Sequence, residues 1–155
     1  MSAVYSRPDL AMARVGWKRE KKVVVFTNGC YDLLHPGHIR LLEQCKSMGD
    51  ILILALNTDA SVARYKGPRR PLLSEEQRAQ AVLALAAVDA VTFFDEDTPR
   101  ELIAEVLPDI LVKGADWSHF VAGREEVEAA GGKVVLIPLE PGHSTTNIEK
   151  EILAR

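Results

Sequence analysis

The sequence predicts an open α/β fold, a parallel five-stranded sheet with helices on both faces, and three observations carry that expectation. Five short runs, 22–27, 51–57, 90–94, 110–113 and 134–139, are almost continuously apolar, as strands covered on both faces are. Segments with helical periodicity and helix-start signals lie between them, and strand–helix alternation implies parallel strands joined by crossovers. The strand exits carry Gly, Asn, Ser, Thr and Lys, where ligands of such sheets bind.

In chain order, Met12, Val15 and Trp17 predict a short helix in an N-terminal extension, residues 1–20, ahead of a single domain over 21–155. The first strand exits into Asn28-Gly29-Cys30-Tyr31-Asp32 and leads to a helix over 36–48 that stops at Gly49. The second exits into Asn57-Thr58-Asp59. Residues 64–71, basic and punctuated by Gly67, Pro68 and Pro71, read as an exposed loop. Ser74-Glu75-Glu76-Gln77 fits a capping box opening a helix over 74–87, and Thr98-Pro99-Arg100-Glu101 repeats the signal with Pro99 at the first helical position. The fourth strand exits into Lys113-Gly114-Ala115-Asp116-Trp117. The fifth exits into 141–146, and Thr146-Asn147-Ile148-Glu149 starts the last helix.

Length and composition set bounds. The 155 residues, 47% hydrophobic and 26% charged, suit one domain with its own core. A formal charge of −3 gives no footprint for nucleic acid or a membrane surface, so any anion site is local. Cys30 and Cys45 are too few for a disulfide framework, no signal peptide is legible, and no apolar run approaches the ~20 residues of a membrane span. A reduced, cytoplasmic protein is expected.

The junction 27–38 concentrates the chemistry. Strand, glycine turn and helix start together offer unpaired backbone N–H groups and the positive end of a helix dipole, to which His35 and His38 add two imidazoles three residues apart. A metal pair is the first alternative, but no third or fourth ligand stands nearby in sequence. An incidental helix start is the second. Gly37 lets a ligand approach the backbone, and two imidazoles can donate to phosphoryl oxygens, so phosphate binding is the stronger reading.

The His-Pro-Gly-His core within 29–38 resembles the signature of the cytidylyltransferase-like nucleotidyltransferases, which join a nucleotide to a phosphorylated acceptor. The likeness continues through Lys66-Gly67-Pro68-Arg69-Arg70-Pro71, Glu76-Gln77-Arg78, Leu111 to Trp117 and Ser144-Thr145-Thr146-Asn147-Ile148. Within that superfamily the chain is most similar to the adenylyltransferase module of bacterial ADP-heptose synthases. The resemblance implies a Rossmann-like domain that moves AMP from ATP to D-glycero-β-D-manno-heptose 1-phosphate for lipopolysaccharide core biosynthesis. It implies Mg²⁺ carried by the nucleotide phosphates without a dedicated protein site. Many such modules follow a sugar kinase domain, which these residues lack, so a separate heptose kinase is expected as a partner. No nucleic-acid or membrane partner is expected, and a homodimer is the base-rate assembly.

The same resemblance assigns His35, His38 and Lys66 to catalysis. Nucleotide contacts fall on Thr27, Asn28, Gly29, Cys30, Gly37, Arg78, Lys113, Gly114, Asp116, Trp117, Ser144, Thr145 and Thr146, and the acceptor side on Asp32, Asn57, Lys66 and Arg70. Each has a plainer reading. Lys66 and Arg70 suit a solvated loop, Arg78 a solvent-facing helix position, Lys113 a strand end at the surface, and Ser144 to Thr146 a helix cap. Asp32 beside a triphosphate would meet Mg²⁺, a sugar hydroxyl or neighbouring backbone. Other acceptors (glycerol 3-phosphate, FMN, pantetheine phosphate) with ATP or CTP, and a non-catalytic nucleotide sensor, are the alternatives.

Overall fold

The protein is described from a computed structural model that covers residues 2–115, 120–138 and 145–155. Its strands are β1 (Ala3–Val4), β2 (Val24–Gly29), β3 (Ile51–Asn57), β4 (Ala90–Phe94), β5 (Ile110–Gly114) and β6 (Lys133–Ile137). Its helices are α1 (Arg7–Arg19), α2 (Pro36–Ser47), α3 (Asp59–Lys66), α4 (Glu75–Leu83), α5 (Arg100–Val106), α6 (Arg124–Ala129) and α7 (Thr145–Ala154). The strands form one sheet in the order β1-β4-β3-β2-β5-β6, every neighbouring pair parallel. The chain therefore builds outward from β2 to β3 and β4, then crosses to β5 on the other side of β2. That reversal is the switch point at which open α/β sheets bind ligands.

The apolar runs are continuous because each strand feeds two cores. Val25, Leu52, Leu54, Leu56, Val91 and Val112 pack with Leu42 and Cys45 of α2 and Ala79 and Val82 of α4. Alternate residues Val24, Phe26, Ile53, Ala55 and Leu111 face the opposite way, against Leu10 of α1, Leu102, Ile103 and Val106 of α5 and Val127 of α6. Both cysteines are buried and reduced.

The sheet has six strands rather than the expected five. The extra strand, β1, is two residues long, too short for any periodic signal, and pairs with β4 through Ala3↔Ala90 and Val4↔Val91. Helix α1 is amphipathic as expected but turned differently. Met12 and Val15 face solvent at 74% and 52% exposure, while Leu10 and Arg14 are buried and Trp17 rests on Tyr5.

The capping box of α4 forms as read, with Gln77 N–H donating to Ser74 Oγ at 3.2 Å and Ser74 N–H to Gln77 Oε1 at 3.0 Å. The one at α5 does not: Pro99 is the N-cap and makes no side-chain cap bond, and Thr98, one position earlier, accepts only from the Arg100 N–H at 3.5 Å. Residues 64–71 are not one loop, because Arg64 to Lys66 complete α3 and Arg70 is buried at 8% exposure. Among the described residues no helix is long and apolar enough to cross a membrane.

Candidate active site

At the end of β2 the chain turns tightly. Tyr31 adopts a left-handed backbone (φ 50°), its ring is buried, and it folds back over Gly29, where a Cβ would approach the ring to 2.8 Å. The ring then supports His38, with centroids 4.7 Å apart. His35 is the N-cap of α2, and its Nδ1 accepts from the His38 N–H at 3.4 Å. An accepting Nδ1 places the proton of a neutral His35 on Nε2. Pro36 follows where a missing N–H costs nothing.

This local geometry stacks the His35 and His38 rings with centroids 3.7 Å apart and planes 21° apart. Burial, then the neighbouring charges of His35 and Lys66, push His38 down from 6.5 to about 4, and a hydrogen bond with the Leu33 backbone only partly opposes them. His38 is therefore uncharged at neutral pH. Its Nδ1 is buried and has no hydrogen-bond partner among the described residues.

Lys66 is exposed at the end of α3 and is followed by Gly67 at positive φ (104°). Its ammonium lies 5.7 Å from the Tyr65 ring centroid, and its charge is felt at His38. The Tyr65 hydroxyl lies 2.7 Å from Cys30 Sγ, and Cys30 Sγ also reaches Asn57 Oδ1 at 3.6 Å, fastening α3 to the end of β2.

Several expected contact residues act as the frame. Thr27 Oγ1 donates to the Val112 carbonyl at 3.0 Å across the switch point. Arg78 has no exposed side-chain surface and donates to the Leu73 carbonyl at 3.1 Å, the Cys30 carbonyl at 2.8 Å and Asp59 Oδ1 at 2.8 Å. A solvent-facing Arg78 is thus excluded. Asp32, 1% exposed, accepts from Leu72 N–H at 2.8 Å, Leu73 N–H at 2.9 Å and Arg70 Nε at 3.1 Å. Of the partners open to it, backbone is the one observed. Arg70 also donates through Nη1 to Glu149 Oε2 of α7 at 2.6 Å, so the loop of Asp32, the 70–73 segment and α7 share one buried cation.

Open space lies beside this frame. A cleft of about 350 Å³ runs beyond the strand ends, lined by Asn28, Gly29, Asn57, Lys113, Tyr65, Phe94, Asp97, Thr98, Pro99, Phe120 and Ala122. Gly114 ends β5 beside Lys113. Gly37 lies in the first turn of α2, and Thr146 is exposed in the first turn of α7, which opens at Thr145. Asp116, Trp117 and Ser144 lie outside the described residues. Sequence reasoning missed the β4 exit and its Asp97 and Thr98. The rule applied to the other strand exits would have found them, had the acidic run 95–97 not been passed over for the helix start behind it.

Residues 26–151 match the cytidylyltransferase-like family. The chain belongs to that family. Members similar to it include the bifunctional protein HldE of Syntrophotalea carbinolica, 55% identical over 139 residues, and that of Azorhizobium caulinodans, 52% identical over 147 residues. These matches take in 89% and 94% of the chain but only 28% and 31% of the relatives, so the chain spans about 30% of their length. A crystal structure of the lipopolysaccharide core biosynthesis protein of Thermoplasma volcanium superposes with TM-score 0.62 at 29% identity, covering 77% of this chain and 97% of that one. The pantoate-beta-alanine ligase of Francisella tularensis superposes with TM-score 0.66 over 100% of this chain and 80% of its own, at 16% identity, which is a likeness of fold.

Proposed function

We propose that the chain transfers AMP from ATP to D-glycero-β-D-manno-heptose 1-phosphate, releasing pyrophosphate and forming ADP-heptose. The observation that carries this reading is the stacked imidazole pair beside Lys66 at the β2 exit, with His38 held uncharged. The choice of acceptor is supported by homology to the adenylyltransferase part of HldE.

A phosphate monoester is largely dianionic at pH 7, its second pKa being about 6, so the attacking oxygen needs no general base. That agrees with the described residues of the site, among which no nucleophile is paired to a base. The work left is in-line positioning and stabilisation of charge on the α-phosphoryl group and the leaving pyrophosphate. His35 and His38 are the donors for the α-phosphoryl oxygens. A triphosphate beside His38 favours its protonated form, so binding itself adds an N–H donor there. Lys66, on its glycine-terminated helix, is the cation for the leaving phosphates, and the N-terminal turn of α7, with Thr145 and Thr146, is assigned to the same phosphates.

The magnesium ion belongs to the substrate in this reading, entering on the ATP phosphates. Among the described residues no three His, Cys, Asp or Glu side chains are grouped to hold a metal, and Asp32 is occupied by Arg70 and two backbone N–H groups. A separate kinase acting at the sugar 1-position is the expected source of the acceptor in this reading.

The test is an acceptor panel with ATP or CTP and Mg²⁺, read as pyrophosphate and nucleotide-sugar by mass spectrometry. ATP with heptose 1-phosphate should be the productive pair. Turnover only with glycerol 3-phosphate, FMN or pantetheine phosphate would overturn the acceptor, and tight nucleotide binding without pyrophosphate from any pair would overturn catalysis.

A further inference from the structure

The loop between β4 and α5 takes no part in the phosphate chemistry above, yet it forms one wall of the 350 Å³ cleft through Asp97 and Thr98. Across from it stand Asn28, at the end of β2, and Lys113, at the end of β5. The chemistry of this chamber is mixed in a specific way. The Asp97 carboxylate is 92% exposed, with Arg64 Nε 3.8 Å from its Oδ1. Asn28 Oδ1 is buried and unpartnered among the described residues, a cost that a donor on a ligand would remove. Phe94 and Phe120 add apolar faces.

A ligand that is only a phosphate would be repelled by Asp97. One that carries several hydroxyls on an apolar ring, with a phosphate at one end, matches acceptor oxygens, aromatic faces and the lysine together.

The loop is also held in place from two sides. Arg7 of α1 binds both Glu96 oxygens through Nη1, at 3.0 and 2.7 Å, and grips Glu105 through Nε and Nη2 at 3.3 and 3.0 Å. From α3, Arg64 donates to the Asp95 carbonyl and the Thr58 hydroxyl to the Asp95 carboxylate. Two bidentate ion pairs from one guanidinium fix direction as well as charge.

We propose that Asp97 and Thr98 bind hydroxyl groups of the acceptor sugar, and that Arg7 is the positioning residue that holds their loop against the cleft. This rests on the sugar phosphate acceptor proposed above and adds the element that selects it. A site built to bind a hydroxyl rejects an analogue lacking it, because its own polar groups are then left unpaired.

The experiment compares wild type with Asp97→Asn, Thr98→Val, Arg7→Ala and Arg7→Lys, using ATP and D-glycero-β-D-manno-heptose 1-phosphate. Asp97→Asn should raise KM for the sugar phosphate at least about tenfold, the order of one weakened charge-assisted hydrogen bond, with KM for ATP and the melting temperature unchanged. Thr98→Val should raise the same KM by less. Arg7→Ala should raise it without lowering kcat in proportion, and Arg7→Lys should recover part of the loss. An unchanged sugar KM in Asp97→Asn, or an equal rise in KM for ATP, overturns the assignment, and an unaltered sugar KM in Arg7→Ala overturns the positioning role. If wild type makes no product from this pair, the proposed reaction has failed by itself. Calorimetric titration of heptose 1-phosphate into wild type and Asp97→Asn then still decides the loop, equal affinity or no binding to either counting against it.

Discussion

His38 shows how one side chain's surroundings set its chemistry. Held at a pKa of about 4 by burial, His35 and Lys66, it meets substrate as an uncharged group stacked on its partner. Replacing it with alanine removes one prearranged donor, and kcat should fall at least about 100-fold in a protein that still folds. Near-normal turnover would sink that role. The same depression has a thermodynamic consequence. The unfolded chain protonates this histidine near 6.5 and the folded one near 4, so the unfolded state holds more protons between those values. The stability that His38 contributes is complete above pH 6.5 and is lost as pH falls toward 4. Urea titrations at pH 7 and pH 5 should show a larger loss for wild type than for His38→Gln. Arg78 makes the opposite point about legibility. A helix arginine reads as solvent-facing, and only the carbonyl of Cys30, 48 positions away, reveals that it is a buried strut.

At the scale of elements, α1 belongs to the core. Leu10 is 0% exposed and packs with Phe26, Phe94 and Val106, so Leu10→Ala should cost about 2–5 kcal/mol, measured as a lower urea midpoint with an unchanged slope. The strand–turn–helix from β2 to α2 was readable because apolar run, glycine turn and periodic helix all point the same way. So were the strands that follow, each displaced by at most two residues among those described. Helix α3 was missed because only half of its residues 59–66 are apolar and it runs into a basic stretch that resembles a loop. Helix α6 has six residues, fewer than two turns of periodicity. Of the site, the imidazole pair was visible from its spacing. The Asp32 contacts were not, because a carboxylate's backbone partners forty positions away leave no mark in the local sequence.

For the whole molecule, Arg70 is the tie between distant parts. It joins Asp32 on the loop before α2 to Glu149 on α7, across separations of 38 and 79 residues. With Asp32 at 0% side-chain exposure, Arg70→Ala leaves a buried carboxylate supported only by two backbone N–H groups, and about 3 kcal/mol of stability should be lost. Hydrogen exchange should quicken in α7 and at Leu72 and Leu73 together. Faster exchange in only one of them would show that Arg70 does not link them. Strand β1 poses a different problem, one of timing. Its edge on β4 is recorded by Thr92 Oγ1 donating to the Tyr5 carbonyl, a pairing 87 residues apart. At ~5–20 residues per second on the ribosome, the residues of β1 emerge roughly 4–17 s before those of β4 exist. During that interval α1 and β1 have no sheet to join. The N-terminal segment that steadies the cleft through Arg7 is therefore an early part of the chain that docks late, and it closes the sheet's edge after the strands beside it are made.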